Sequence, residues 1–252
     1  MAADALGVLL TPWGLGLLGL CVGSFLNVVV HRLPRMMERA WRLEAAELLS
    51  LEATVPDEIG LAKPASRCPS CGHTIRWFEN IPVLSWLALR GRCSACKTPI
   101  SPRYPLVELA TGMLFAALAW RFGGHPVVLA WCGFVAALVA LAAIDWDTTL
   151  LPDSINQPLL WAGLIAASLG WTLPLGAALW GAVIGYLALW SVYWLFKLTT
   201  GKEGMGAGDF KLLAALGAWL GASMLLPIVL GASLIGAVVG LAMKSGGSLR
   251  EG

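Results

Sequence analysis

The chain has 252 residues, of which 58% are hydrophobic and only 13% charged, and its mean hydropathy is +0.76. Soluble domains carry roughly 25% charged residues, so a disordered chain is excluded and an ordinary soluble domain does not fit. The net charge of +2 makes no bulk electrostatic case for nucleic acid, and no nucleic-acid partner is expected.

The placement of the charges is more informative. Residues 31–103 hold eleven of the seventeen Lys and Arg, while long charge-free runs fill the rest. This pattern predicts an all-α polytopic membrane protein, surrounded by lipid, with one polar insert. The expected divisions are a first span over 1–30, the insert over 31–103 and a membrane core over 104–252.

In chain order, residues 5–30 have no charge, enough to cross a hydrocarbon core of about 30 Å. The flank before them lacks a basic stretch, so an anchor fits better than a cleaved signal peptide. Residues 35–51 mix Met, Trp and Leu with Glu and Arg, which predicts an amphipathic helix of the insert or a solvated linker helix. Further spans are expected over 104–120, which tolerates Glu108 near one end, and over 126–144. Residues 154–196 have room for two spans with a turn at 172–176, and 212–243 divide at Pro227. Short cytoplasmic loops collect Lys and Arg. About seven spans, with the N-terminus outside and the C-terminus inside, put every basic residue except Arg121 on the cytoplasmic side.

Within the insert, Cys68-Pro-Ser-Cys71 and Cys93-Ser-Ala-Cys96 are two C-x-x-C knuckles. Each can grip one face of a tetrahedral ion, so the four thiolates predict a structural zinc site. A redox dithiol is the competing reading, and a reducing cytoplasm favours metal over disulfide. Cys21 and Cys132 lie in membrane runs and are expected to be small buried apolar residues. His31, His73 and His125 are too scattered to make a ligand set.

Carboxylates beside membrane spans are costly and are functional candidates. Asp145 ends the 126–144 run, and Asp209 follows the glycine-rich Gly204-Met-Gly-Ala-Gly208. Two carboxylates that share a proton can activate water and then protonate a leaving group. The competing reading makes Asp209 a helix cap, Asp153 another cap and Asp147 a solvated residue. In a catalytic pair, Asp209 at a helix start beside Lys211 is expected to be the ionised member, and Asp145 at a helix end the acid.

Together these residues resemble the type IV prepilin peptidases. The resemblance is carried by Gly23-Ser-Phe-Leu-Asn-Val-Val-Val-His-Arg-Leu-Pro34, the four cysteines and Asn80-Ile-Pro-Val-Leu-Ser-Trp86. It continues through Leu89-Arg-Gly-Arg-Cys93, Ser101-Pro-Arg-Tyr-Pro-Leu-Val-Glu108, Ile144-Asp145 with Leu151-Pro-Asp153, and Gly206-Ala-Gly-Asp209-Phe-Lys211. The last has the G-x-G-D pattern of membrane aspartyl proteases. The resemblance implies a multi-pass enzyme of the bacterial inner membrane, with insert and active site facing the cytoplasm. Such an enzyme cuts the leader of type IV prepilins and type II secretion pseudopilins after glycine. It then methylates the new N-terminal residue with S-adenosylmethionine as donor. By the same resemblance Asp145 and Asp209 are catalytic, and Cys68, Cys71, Cys93 and Cys96 bind zinc. No glycine-rich methyl-donor fingerprint follows a strand, so no donor-binding residues are assigned. Two rival functions remain at this point: a transporter or channel with a regulatory zinc module, and a non-catalytic secretion-assembly protein.

Overall fold

The computed structural model describes residues 7–51 and 59–245, which form two compact units, Met1–Pro152 and Asp153–Gly252. The first unit begins with α1, Pro12–Leu48, a single helix of 37 residues. Its start is fixed locally: Pro12 takes the first turn, and the Thr11 hydroxyl accepts a 3.1 Å bond from the Gly14 N–H. The helix runs unbroken through Pro34, so the amphipathic stretch expected over 35–51 is, as far as Leu48, a continuation of the helix of the first span.

α3, Arg103–Phe122, packs along α1, and α4, Val128–Thr148, packs against both. Without water, no hydrophobic force drives one apolar helix onto another, so close backbone approach has to hold them. Gly19 and Gly23 allow that approach: a Cβ at Gly19 would lie 2.8 Å from the Gly112 Cα, and one at Gly23 2.7 Å from the Glu108 Cα. Leu15, Phe115, Val128 and Cys132 then fill a buried cluster where the three helices meet. Cys132 is buried as expected, whereas Cys21 lies on an exposed side of α1.

Between α1 and α3 the insert carries little regular structure: a 3-10 turn at Trp77–Asn80 and a short helix, α2, Leu84–Ala88. Arg32 ties it to α1. Its guanidinium donates to the carbonyls of Gly60 at 2.8 Å and Pro64 at 2.7 Å.

The second unit contains α5, Asp153–Ser168, α6, Leu175–Thr200, α7, Ala207–Leu220, and α8, Ala222–Ser245. The expected turn between α5 and α6 is present. The break in the last apolar run falls at Gly221, whose φ of 81° and ψ of 165° suit glycine alone, and Pro227 is accommodated inside α8. Gly181 and Gly217 let α6 and α7 touch, since a Cβ on either would collide with the other's carbonyl. The Trp219 indole N–H bonds the Leu159 carbonyl at 2.8 Å and so joins α7 to α5.

Among the described residues five helices, α1, α3, α4, α6 and α8, are long and apolar enough to cross a membrane. α5 and α7 occupy two further expected spans but have 16 and 14 residues. The fold is a polytopic helical bundle with a small four-cysteine insert.

Candidate active site and metal centre

The two cysteine knuckles are built the same way. In the first, the Cys68 N–H bonds the His73 carbonyl at 2.9 Å, and Gly72 turns the chain in a left-handed conformation (φ 71°). In the second, the Cys93 N–H bonds the Thr98 carbonyl at 2.9 Å, and Lys97 takes the same turn (φ 60°). The left-handed residue follows the second cysteine each time and folds both thiols inward. The Trp86 indole closes over Gly91 and donates to the Ile100 carbonyl, which backs the second knuckle.

The four sulfurs lie within 4.8 Å of one another. Cys68 Sγ is 3.7 Å from Cys96 Sγ, and Cys71 Sγ is 4.0 Å from Cys93 Sγ. Sulfurs about 2.3 Å from one tetrahedral zinc would stand about 3.8 Å apart. The cluster is therefore shaped to hold a metal ion. The Thr98 hydroxyl and backbone N–H pull the Cys96 thiol down to about 6, which favours a thiolate there. The His73 backbone N–H draws Cys71 down, but burial and its neighbouring thiols outweigh it and push that thiol up to about 11.

Glu79 braces the two knuckles. Its carboxylate accepts from the Arg76 backbone N–H at 2.8 Å, bonds the Ser94 hydroxyl, and lies 3.2 Å from His73 Nε2. Those donors hold it down to about 2, the Arg76 N–H having the largest effect. The pattern of cysteines does not show this brace. Glu79 sits outside both motifs, eight residues past Cys71.

Asp145 lies in the last turn of α4, exposed, in the first unit. The helix ends just beyond it, where Thr149 turns left-handed (φ 54°) and its N–H bonds the Asp145 carbonyl at 2.8 Å. Asp147, read from sequence as solvated, pairs with Arg103 at the start of α3. The same guanidinium also donates to the Ala143 carbonyl at 2.9 Å.

Asp209 lies in the first turn of α7, half-buried, in the second unit. Its carboxylate folds back beside Gly206, where a Cβ would stand 3.8 Å from Oδ2. Phe210 anchors this turn by packing against the rings of Tyr186 and Tyr193 on α6. The loop before α7 is held by Glu203, which accepts from Lys197 Nζ at 2.8 Å. Lys211 opens the second turn of α7, and its ammonium is engaged by α5. Its Nζ grips both oxygens of Asp153 on α5, at 2.8 and 2.6 Å.

Residues 17–122 match the family described as Bacterial Peptidase A24 N-terminal domain. Residues 132–241, a segment that includes Asp145 and Asp209, match the Type IV leader peptidase family. A protein of Stutzerimonas stutzeri is 59% identical over 90% of this chain and 78% of its own length. A Pseudomonas putida protein is 57% identical over 89% and 78%, and one from Burkholderia pseudomallei (strain 1026b) 54% over 92% and 76%. All three are named Prepilin leader peptidase/N-methyltransferase.

The chain belongs to the type IV leader peptidase family. No solved structure matches it. Membership of this family and five membrane-capable helices make it a membrane protein of a peptidase class. A transporter or channel is correspondingly not favoured.

Proposed function

We propose that this type IV leader peptidase family member removes the leader of type IV prepilins and pseudopilins after glycine and methylates the exposed N-terminus. The observation that carries the reading is identity above 50%, across about nine-tenths of the chain, with proteins named for both activities. Asp145 and Asp209 are the proposed catalytic pair. A single family match runs through both, and each is the exposed or half-buried carboxylate of a helix terminus.

In cleavage, one ionised carboxylate takes a proton from water while the water oxygen attacks the glycyl carbonyl carbon. The protonated carboxyl gives its proton to the departing amide nitrogen. The products are a leader ending in glycine and a free N-terminal amine. That amine then takes the methyl group of S-adenosylmethionine, releases S-adenosylhomocysteine and loses a proton. Zinc held by Cys68, Cys71, Cys93 and Cys96 would act structurally, holding together an insert with little core of its own. The proposed organisation is a first span over 1–30, an insert over 31–103 and a peptidase core over 104–252. The basic residues of the insert and of the loop near Lys202 support a bacterial inner-membrane placement with insert and aspartates on the cytoplasmic side.

The test is incubation of the purified protein in lipid with a prepilin and isotopically labelled S-adenosylmethionine, read by mass spectrometry. Leader release followed by one labelled methyl group is expected. Folded protein that yields neither product would overturn the reading.

A further inference from the structure

Each proposed catalytic aspartate is followed, two residues on, by a charged residue that ties its helix to a neighbour within the same unit. Asp147 follows Asp145 and pairs with Arg103 of α3; Lys211 follows Asp209 and pairs with Asp153 of α5. The polarity is reversed between the two. In the first unit the carboxylate rides on the helix with the aspartate, and in the second the ammonium does.

Helix electrostatics do not account for these charges. Asp147 sits in the last turn of α4, where the dipole is already negative, and Lys211 in the first turns of α7, where it is positive. Arg103 opens α3, again at the positive end. Three of the four charges stand at the end of a helix that disfavours them. Exposed ion pairs of this kind also add little stability. Their placement is instead suited to orienting something.

The helical repeat shows what that is. Residues two apart on a helix point about 200° apart around its axis. Arg103 therefore holds α4 from the side turned away from Asp145, and Asp153 holds α7 from the side turned away from Asp209. Each pair sets the rotation of its helix from the side opposite the aspartate. Arg103 adds a second grip through the Ala143 carbonyl, so its contacts flank Asp145 two residues before and two residues after.

We propose that Arg103–Asp147 and Lys211–Asp153 are positioning pairs, one for each aspartate of the peptidase. The proposal rests on the assignment of Asp145 and Asp209 as the catalytic pair. Neither pair touches substrate. Each fixes the angle at which one carboxylate is presented, and a small error in such an angle is costly when two carboxylates must share one proton.

The test compares cleavage kinetics of Arg103→Gln, Arg103→Lys, Asp153→Asn and Lys211→Met with the charge-exchanged double variant Lys211→Asp/Asp153→Lys. The single removals should lower kcat by roughly 10- to 100-fold, with KM and melting temperature little changed. Arg103→Lys, which keeps the ion pair but not the Ala143 bond, should fall between. The exchanged variant should recover most of the loss relative to Lys211→Met. Wild-type kcat in all the single variants, with Asp145→Asn and Asp209→Asn inactive, would overturn the positioning role alone. Wild-type cleavage by Asp145→Asn and Asp209→Asn would instead remove the catalytic assignment, and the proposal with it.

Discussion

The backbone N–H of Val83, in the insert, donates a 2.7 Å hydrogen bond to the carboxylate of Glu108 on α3. Glu108 is only 7% exposed, and Val83 holds φ 61°, ψ −48°, a conformation that a β-branched residue reaches only under strain. A buried membrane-helix carboxylate thus holds a strained turn between the two cysteine knuckles.

Removing that acceptor should loosen the turn. Glu108→Leu leaves the Val83 N–H unpaired and should cost about 1–3 kcal/mol. Glu108→Gln keeps an acceptor oxygen and should cost less. Val83→Gly relieves the strain and should offset part of either loss. Thermal unfolding in detergent, with protease accessibility around residues 80–90, reads all three.

Asp145→Asn and Asp209→Asn should each abolish leader cleavage, because an amide cannot carry the shared proton. Methyl transfer to a synthetic peptide that is already cleaved should continue in both. The two activities, measured in protein with unchanged melting temperature, check this prediction.

The cysteine cluster should bind one zinc per chain in reduced protein, read by elemental analysis. Cys71→Ser or Cys96→Ser should lower zinc content and expose the insert to protease, since the metal supplies folding energy that so small a core lacks. Cleavage should decline less than zinc content, because Asp145 and Asp209 lie outside the insert.

Glu79 gives the insert a defined acid response. Its carboxyl is held down to about 2, from 4.5. A lowered carboxylate contributes fully above the ordinary value, and the contribution fades as pH falls from about 4.5 towards 2. Glu79→Gln should therefore make the insert easier to cleave near neutral pH. The difference from wild type should shrink through that acidic window and vanish at its lower end. Limited proteolysis across pH measures it.

The bundle and the metal cluster were both legible from sequence, because each is written in a short-range code. Charge-free runs define spans, and two C-x-x-C pairs leave a tetrahedral ion few alternatives. The partners of the lone charges were not legible. Arg103 meets Asp147 across 44 positions and Lys211 meets Asp153 across 58, separations set by helix packing that no local pattern reports. Glu108 was visible as a tolerated charge, but its bond to Val83 depends on an irregular turn. The break at Gly221 was misplaced to Pro227 because a proline early in a membrane helix can be accommodated, while a glycine turned to φ 81°, ψ 165° ends one.

The unbroken course of α1 also acts as a ruler. At 1.5 Å per residue, its 37 residues span about 55 Å, against about 30 Å of hydrocarbon. The helix therefore stands well clear of the bilayer as a stiff mast, and Arg32 lashes the chain at Gly60 and Pro64 to its base. Height and heading of the mast are fixed by the same helix that crosses the membrane. Inserting a single alanine between Arg32 and Leu48 would swing the tip of the helix by about 100° relative to the chain lashed at Arg32, whereas a seven-residue insertion would nearly restore the heading and only raise the tip.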